Sequence, residues 1–74
     1  MEELLEALKR ANGKIDYLSS NKLVTDKIID SIDITSILAE LEETFDIEIS
    51  MEYIVPENFD SVEAMWEMVQ ELKD

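Results

Sequence analysis

The sequence predicts an all-α fold: a small four-helix bundle of three longer helices and one short one. Three observations carry this expectation. Apolar residues recur at intervals of three and four in three separate stretches, the spacing of a helix with one buried face. The one run that alternates apolar and polar residues, Phe45-Asp46-Ile47-Glu48-Ile49, stands alone, and a single strand has nothing to pair with. The only glycine, Gly13, and the only proline, Pro56, fall where helical patterns stop.

Taken in order, Leu4, Leu5 and Leu8 repeat at helical spacing among Glu2, Glu3, Glu6, Lys9 and Arg10. They predict a first helix over residues 2–11, ended by Asn12-Gly13 with Gly13 as its C-terminal cap. Residues 14–29 sustain neither a helical nor a strand period. Their apolar side chains, among them Ile15, Tyr17, Leu23 and Ile29, suggest a segment packed across the helices, since a structureless loop of this length is unusual in a compact domain. A second helix is expected over residues 31–44, with Ile34, Ile37, Leu38, Leu41 and Phe45 as its core face. The alternating run that follows reads as an extended connector with apolar plugs. Ser50 is the expected cap of a short third helix over residues 51–55, terminated by Pro56. Asp60 with Glu63 reads as a capping box for the last helix, whose core face carries Val62, Met65, Trp66, Val69 and Leu72.

Composition bounds the function. Seventy-four residues form one expected domain, 1–74, too small to enclose a deep catalytic pocket as well as a core. There is no histidine, which removes the commonest general base and the usual partner of a nucleophilic serine. There is no cysteine, so no thiolate site. A calcium loop starting at Asp46 would have Met51 where such a loop needs glycine, and no metal site is expected. An enzyme is therefore the least favoured class. The formal charge of −13, from 19 acidic and 6 basic residues, repels nucleic acid and anionic membrane and attracts basic proteins. A hydrophobic content of 46% is too high for a disordered acidic chain. Met1-Glu2-Glu3 lacks the positive region of a signal peptide, so a cytoplasmic monomer is the expectation.

The chain is organised around Asp30-Ser31-Ile32-Asp33. Asp30 is placed to cap the second helix, and Asp33 puts negative charge on the positive end of its dipole. Ser31 then opens the helix with its hydroxyl outward. Beside it, Ile32, Thr35, Ser36 and Ala39 form a small and apolar patch among acids, in the manner of a docking surface.

This stretch, followed by Leu41-Glu42-Glu43-Thr44-Phe45-Asp46-Ile47-Glu48-Ile49, resembles the signature of the acyl carrier protein family. That signature is D-S-[L/I]-D, a helix ending in L-E-E-x-F, and an x-I-x-I connector. Glu57-Asn58-Phe59-Asp60-Ser61-Val62 is similar to the corresponding place in the family, so the resemblance covers about residues 23–72. It implies a helical bundle of acyl-carrier-protein type with 4′-phosphopantetheine joined to Ser31 through a phosphodiester, in a setting made by Asp30, Ile32 and Asp33. A separate phosphopantetheinyl transferase would supply the arm from coenzyme A. The arm's thiol would hold an acyl or aminoacyl group as a thioester and pass it between loading and accepting enzymes with basic docking surfaces. The carrier itself would catalyse nothing. The resemblance also implies partner contacts on the second helix: acidic ones at Asp33, Glu42 and Glu43, apolar ones at Ile32, Thr35 and Ala39. Ser36 and Glu40 complete that expected face, with Ser36 standing where family members often have an acid. Glycine commonly lies just ahead of the motif, and Lys27 occupies one such place.

Fatty acid, polyketide, nonribosomal peptide and D-alanine pathways all use such domains. The departures at Lys27 and Ser36 favour a specialised carrier over the housekeeping fatty acid one. The alternative reading is an unmodified acidic module that binds basic partners through the same helix. Either way, so much acid in so small a domain repels itself. The melting temperature is expected to rise as salt or a divalent cation is added; a flat response would contradict this.

Overall fold

A computed structural model describes residues 1–73. Helix α1 spans Glu2–Ala11, α2 Ser31–Phe45, α3 Pro56–Phe59 and α4 Val62–Lys73, with a 3₁₀ turn at Met51–Tyr53. No strand occurs among the described residues. Helix α1 begins with Glu2 and Glu3 and ends with Lys9 and Arg10, an order that suits the helix dipole. It packs chiefly on α2, α3 packs chiefly on α4, and α4 also touches α1 and α2. The centre holds Leu4, Leu8, Leu23, Ile37, Leu41, Phe59, Met65 and Val69, all essentially inaccessible to solvent. Among the described residues no polar or charged residue falls in the buried class.

The expected core faces are found, with adjustments at their edges. On α2, Ile37, Leu41 and Phe45 are buried, while Ile34 and Leu38 flank them half-buried. On α4, Val62, Met65 and Val69 are joined by Met68, and Trp66 and Leu72 lie partly exposed against the core. Trp66 meets Phe45 edge-on, with ring centroids 6.2 Å apart. The connector is shorter than expected: Phe45 closes α2, Asp46 is left-handed, and residues 47–50 form no regular element, while Ile49 is buried in the core and Ile47 packs against it half-buried.

Four helix-end expectations are corrected. Pro56 does not terminate a helix over residues 51–55. The chain makes one 3₁₀ turn at Met51–Tyr53, and Pro56 then opens α3 at its first position, where the missing N–H is no loss. Ser50 makes no capping bond to the backbone. Gly13 is not a left-handed cap: α1 ends on Asn12 with extended backbone at φ −159°, and no glycine has positive φ. A side chain at Gly13 would instead press on the Lys9 carbonyl at 3.2 Å. The left-handed cap is found at the end of α2, on Asp46 with φ 54°. Finally, Ser61 rather than Asp60 accepts from the first turn of α4, through Ala64 N–H at 3.0 Å.

Asp60 is needed elsewhere. Its carbonyl accepts from Leu23 N–H at 2.8 Å, and its carboxylate accepts from the Val24 and Thr25 N–H groups at 2.9 Å each and from the Thr25 hydroxyl at 2.8 Å. These bonds order the segment that has no period of its own. Residues 22–26 make one helical turn, with Asp26 N–H on the Lys22 carbonyl at 2.8 Å. The turn closes as helix ends often do: Lys27 N–H donates to Val24 and Ile28 N–H to Leu23, with Lys27 left-handed at φ 59° between them. Tyr17, Leu23 and Ile29 from this segment enter the core.

Lys27 thus holds a conformation that costs an ordinary residue roughly 1–2 kcal/mol and glycine almost nothing. Lys27→Gly is expected to stabilise the fold by about 0.5–1 kcal/mol in urea unfolding, after the extra chain entropy of glycine is subtracted. The Asp60 ties carry a pH dependence. The Thr25 N–H, then the Thr25 hydroxyl, the Val24 N–H and the Lys22 charge, hold the Asp60 carboxyl below its ordinary 3.8 against the opposing effect of partial burial. The stabilisation is therefore full above 3.8 and is lost as pH falls from there through the lowered folded-state value. Asp60→Asn should be less stable at neutral pH and show a flatter acid limb; unchanged acid unfolding would remove Asp60 from this role.

Candidate functional site

The start of α2 is built from local bonds. Asp30 is extended, and its Oδ1 accepts from Asp33 N–H at 2.9 Å. Asp33 reciprocates: its Oδ2 accepts from Asp30 N–H at 3.3 Å, which completes a capping box. Ser31 is the first helical residue and is exposed, and its carbonyl accepts from the Thr35 hydroxyl at 2.9 Å. Ile32 beside it is 74% exposed. The Asp30 cap is the expected one, and the return bond through Asp33 completes it.

Asp33 has a further partner that the sequence did not reveal. Asn12, at the end of α1, donates from Nδ2 to Asp33 Oδ1 at 3.0 Å, while its own Oδ1 accepts from Lys14 N–H at 3.0 Å. The Tyr17 hydroxyl lies 2.9 Å from the Leu8 carbonyl oxygen and 2.8 Å from that of Asn12, and donates between them. Burial pushes the Tyr17 pKa above its ordinary 10.0, and the negative charge of Asp33 adds to the effect.

The expected docking face divides in two. Ile32, Thr35, Ala39 and Glu43 are exposed. Asp33, Ser36, Glu40 and Glu42 are half-buried, and three of these have partners within the chain. Asp33 holds Asn12, as above. Glu40 pairs with Arg10 Nε at 2.9 Å, and Arg10 Nη2 also donates to the Thr44 hydroxyl at 2.7 Å. Glu42 Oε2 accepts from Ile49 N–H at 2.9 Å and so ties the connector to α2. Arg10 sits on α1 and Asn12 caps it, and no periodicity within one helix announces a partner on another. An open groove is lined by Tyr17, Ser19, Ser61 and Glu63 and their neighbours; its lining does not include Ser31.

A family model described as "phosphopantetheine attachment site" matches residues 2–69, whereas no curated protein and no solved structure matches the chain. The chain belongs to the phosphopantetheine attachment family, whose domains carry covalently bound 4′-phosphopantetheine. The unmodified acidic module finds no support in that match.

The residues at the start of α2 fit such a group. A phosphodiester needs an accessible hydroxyl and donors that tolerate an anion. Ser31 is exposed, and the first helical N–H groups, those of Ser31 and Ile32, have no acceptor within the helix. The nearest carboxylates are already hydrogen-bonded, Asp30 through Oδ1 and Asp33 through both oxygens, which lessens their opposition to a third negative charge.

Proposed function

We infer that the chain is a carrier that holds acyl or aminoacyl cargo on a phosphopantetheine arm attached to Ser31 and moves it between partner enzymes. One observation carries the choice of residue. Ser31 is the exposed serine that opens a long helix inside a reciprocal capping box, in a chain whose family is defined by an attachment site. Asp30, Ile32 and Asp33 form its immediate setting. The group, when bound, supplies the thiol that forms the thioester, and the chain has no cysteine that could do so.

What the chain's own residues do is present the serine and meet the partners. The capping box fixes the direction of the first turn. Ile32, Thr35 and Ala39 offer an apolar strip next to the attachment point, with Ser36 at its edge. Glu43 supplies exposed charge further along α2, while Asp33 and Glu42 add to the negative field from within their hydrogen bonds. Glu40 contributes least, because Arg10 cancels it. A basic partner face would be steered to this side of the molecule without being held for long. The bond-making steps belong to the transferase and to the enzymes that load and unload the arm. Among the described residues no helix is long and apolar enough to cross a membrane.

The direct experiment incubates the protein with coenzyme A, magnesium and a broad-specificity phosphopantetheinyl transferase, then measures intact mass and maps the adduct. One phosphopantetheine on Ser31 is expected. Ser31→Ala is expected to take none, with a stability within about 0.5 kcal/mol of the parent because the site is exposed. An adduct on the alanine variant would move the attachment to another residue.

A further inference from the structure

We propose that Asn12, which lies outside the Asp30–Asp33 stretch and on the other side of the long connecting segment, is a positioning residue for Ser31. The inference rests on the carrier reading for its functional consequence and on geometry for everything else. The Asn12 side chain is used at both ends. Its oxygen accepts from Lys14 N–H at 3.0 Å, and its amide nitrogen donates to Asp33 Oδ1 at 3.0 Å. The other Asp33 oxygen accepts from Asp30 N–H at 3.3 Å, the longest bond of the capping box. A pull from Asn12 therefore acts on the same carboxylate that closes the turn around Ser31.

The end of α1 is itself held. The Tyr17 hydroxyl, in a side chain only 5% exposed, bonds to the Leu8 and Asn12 carbonyls, so Asn12 is an anchored donor and not a loose surface amide. The chain of contact runs from the core through Tyr17 to Asn12, then to Asp33, then to the Asp30 N–H that precedes the serine. Each of the two Asn12 bonds demands one chemistry. The Lys14 bond needs an acceptor, the Asp33 bond needs a donor, and the asparagine amide offers both from two separate atoms. Aspartate would keep the first and set a second carboxylate against Asp33.

Asn12 is not among the residues that face partners on α2. Its loss should leave docking intact and misplace the nucleophile, and displacements of this kind are read in kcat. Asn12→Asp is expected to lower the transferase kcat toward the protein by about tenfold with little change in KM, and Asn12→Ala by less. Hydrogen exchange of the α2 first-turn amides should accelerate in the same order. The pair Asn12→Asp with Asp33→Asn restores one donor and one acceptor with reversed polarity, so amide protection should recover even though the charge pattern has changed. Melting temperatures of all variants separate global unfolding from this local effect.

Wild-type kcat and wild-type protection in both single variants would overturn the proposal. So would a loss that falls wholly on KM, or a double variant whose first turn stays as exposed as in Asn12→Asp. Failure of the parent protein to gain any mass is a different result: it removes the carrier reading and is seen before any variant is compared, while amide protection still decides whether Asn12 holds the turn.

Discussion

The fold depends on a single residue bonded across 35 positions of sequence. Asp60 accepts from three consecutive N–H groups and one hydroxyl of residues Leu23, Val24 and Thr25. Closing so long a connection is entropically unfavourable, and these bonds fasten the stretch between α1 and α2 to the head of α4 alongside its own turn bonds and the burial of Tyr17, Leu23 and Ile29. With them, residues 22–26 become a helical turn that places Ile29 in the core and Asp30 at the head of α2. The position of Ser31 is thus set from behind by the Asp60 tie and from the side by Asn12. The capping box then needs only to set the local direction of the helix.

The long helices were legible because their information is local. A residue three or four places along reports the same face, and the faces predicted for α2 and α4 are the buried ones. The ends were less legible, because a cap is a competition. Asp60 and Ser61 are adjacent, and either can cap α4. The sequence favoured Asp60 for its glutamate three residues on, but Asp60 is claimed by the Leu23–Thr25 backbone and Ser61 takes the cap. Pro56 posed a similar choice, since proline both ends one helix and begins another. Lys27 could not be read as left-handed from its own identity, because its conformation is imposed by the closure of the preceding turn.

The same division runs through the candidate site. The bonds between Asp30 and Asp33 span three residues and were visible as a start signal. The bonds from Asn12 to Asp33 and from Arg10 to Glu40 span 21 and 30, and nothing along the chain marks them. Their effect is to change what the acidic residues of α2 mean. A helix face that reads as an apolar patch among acids is, in three dimensions, an exposed and largely uncharged strip beside three half-buried carboxylates with internal partners, Asp33, Glu40 and Glu42, while Glu43 stays exposed. Charge counts alone would have assigned all of them to partner binding.

This arrangement bears on how an anion can be tolerated, and released, on a chain of formal charge −13. Two unit charges 10 Å apart in water interact by about 0.4 kcal/mol, and salt reduces this further. A helix N-terminus returns roughly 0.3–1 kcal/mol to an anion placed on it. The helix end thus offsets roughly one such repulsion and salt screens the more distant ones, so a phosphodiester on Ser31 would not be gripped by its surroundings. A cationic side chain at the attachment point would hold the arm against the surface; a free carboxylate there would resist loading. The same balance applies to docking. On the proposed carrier, the strip of Ile32, Thr35 and Ala39 would be too small to give a tight complex, while the surrounding acids would raise the encounter rate with basic faces more than affinity. For a carrier of the kind proposed, fast arrival and fast departure of partners would follow from one design, in which the strongest electrostatic bonds near the serine are made inside the chain.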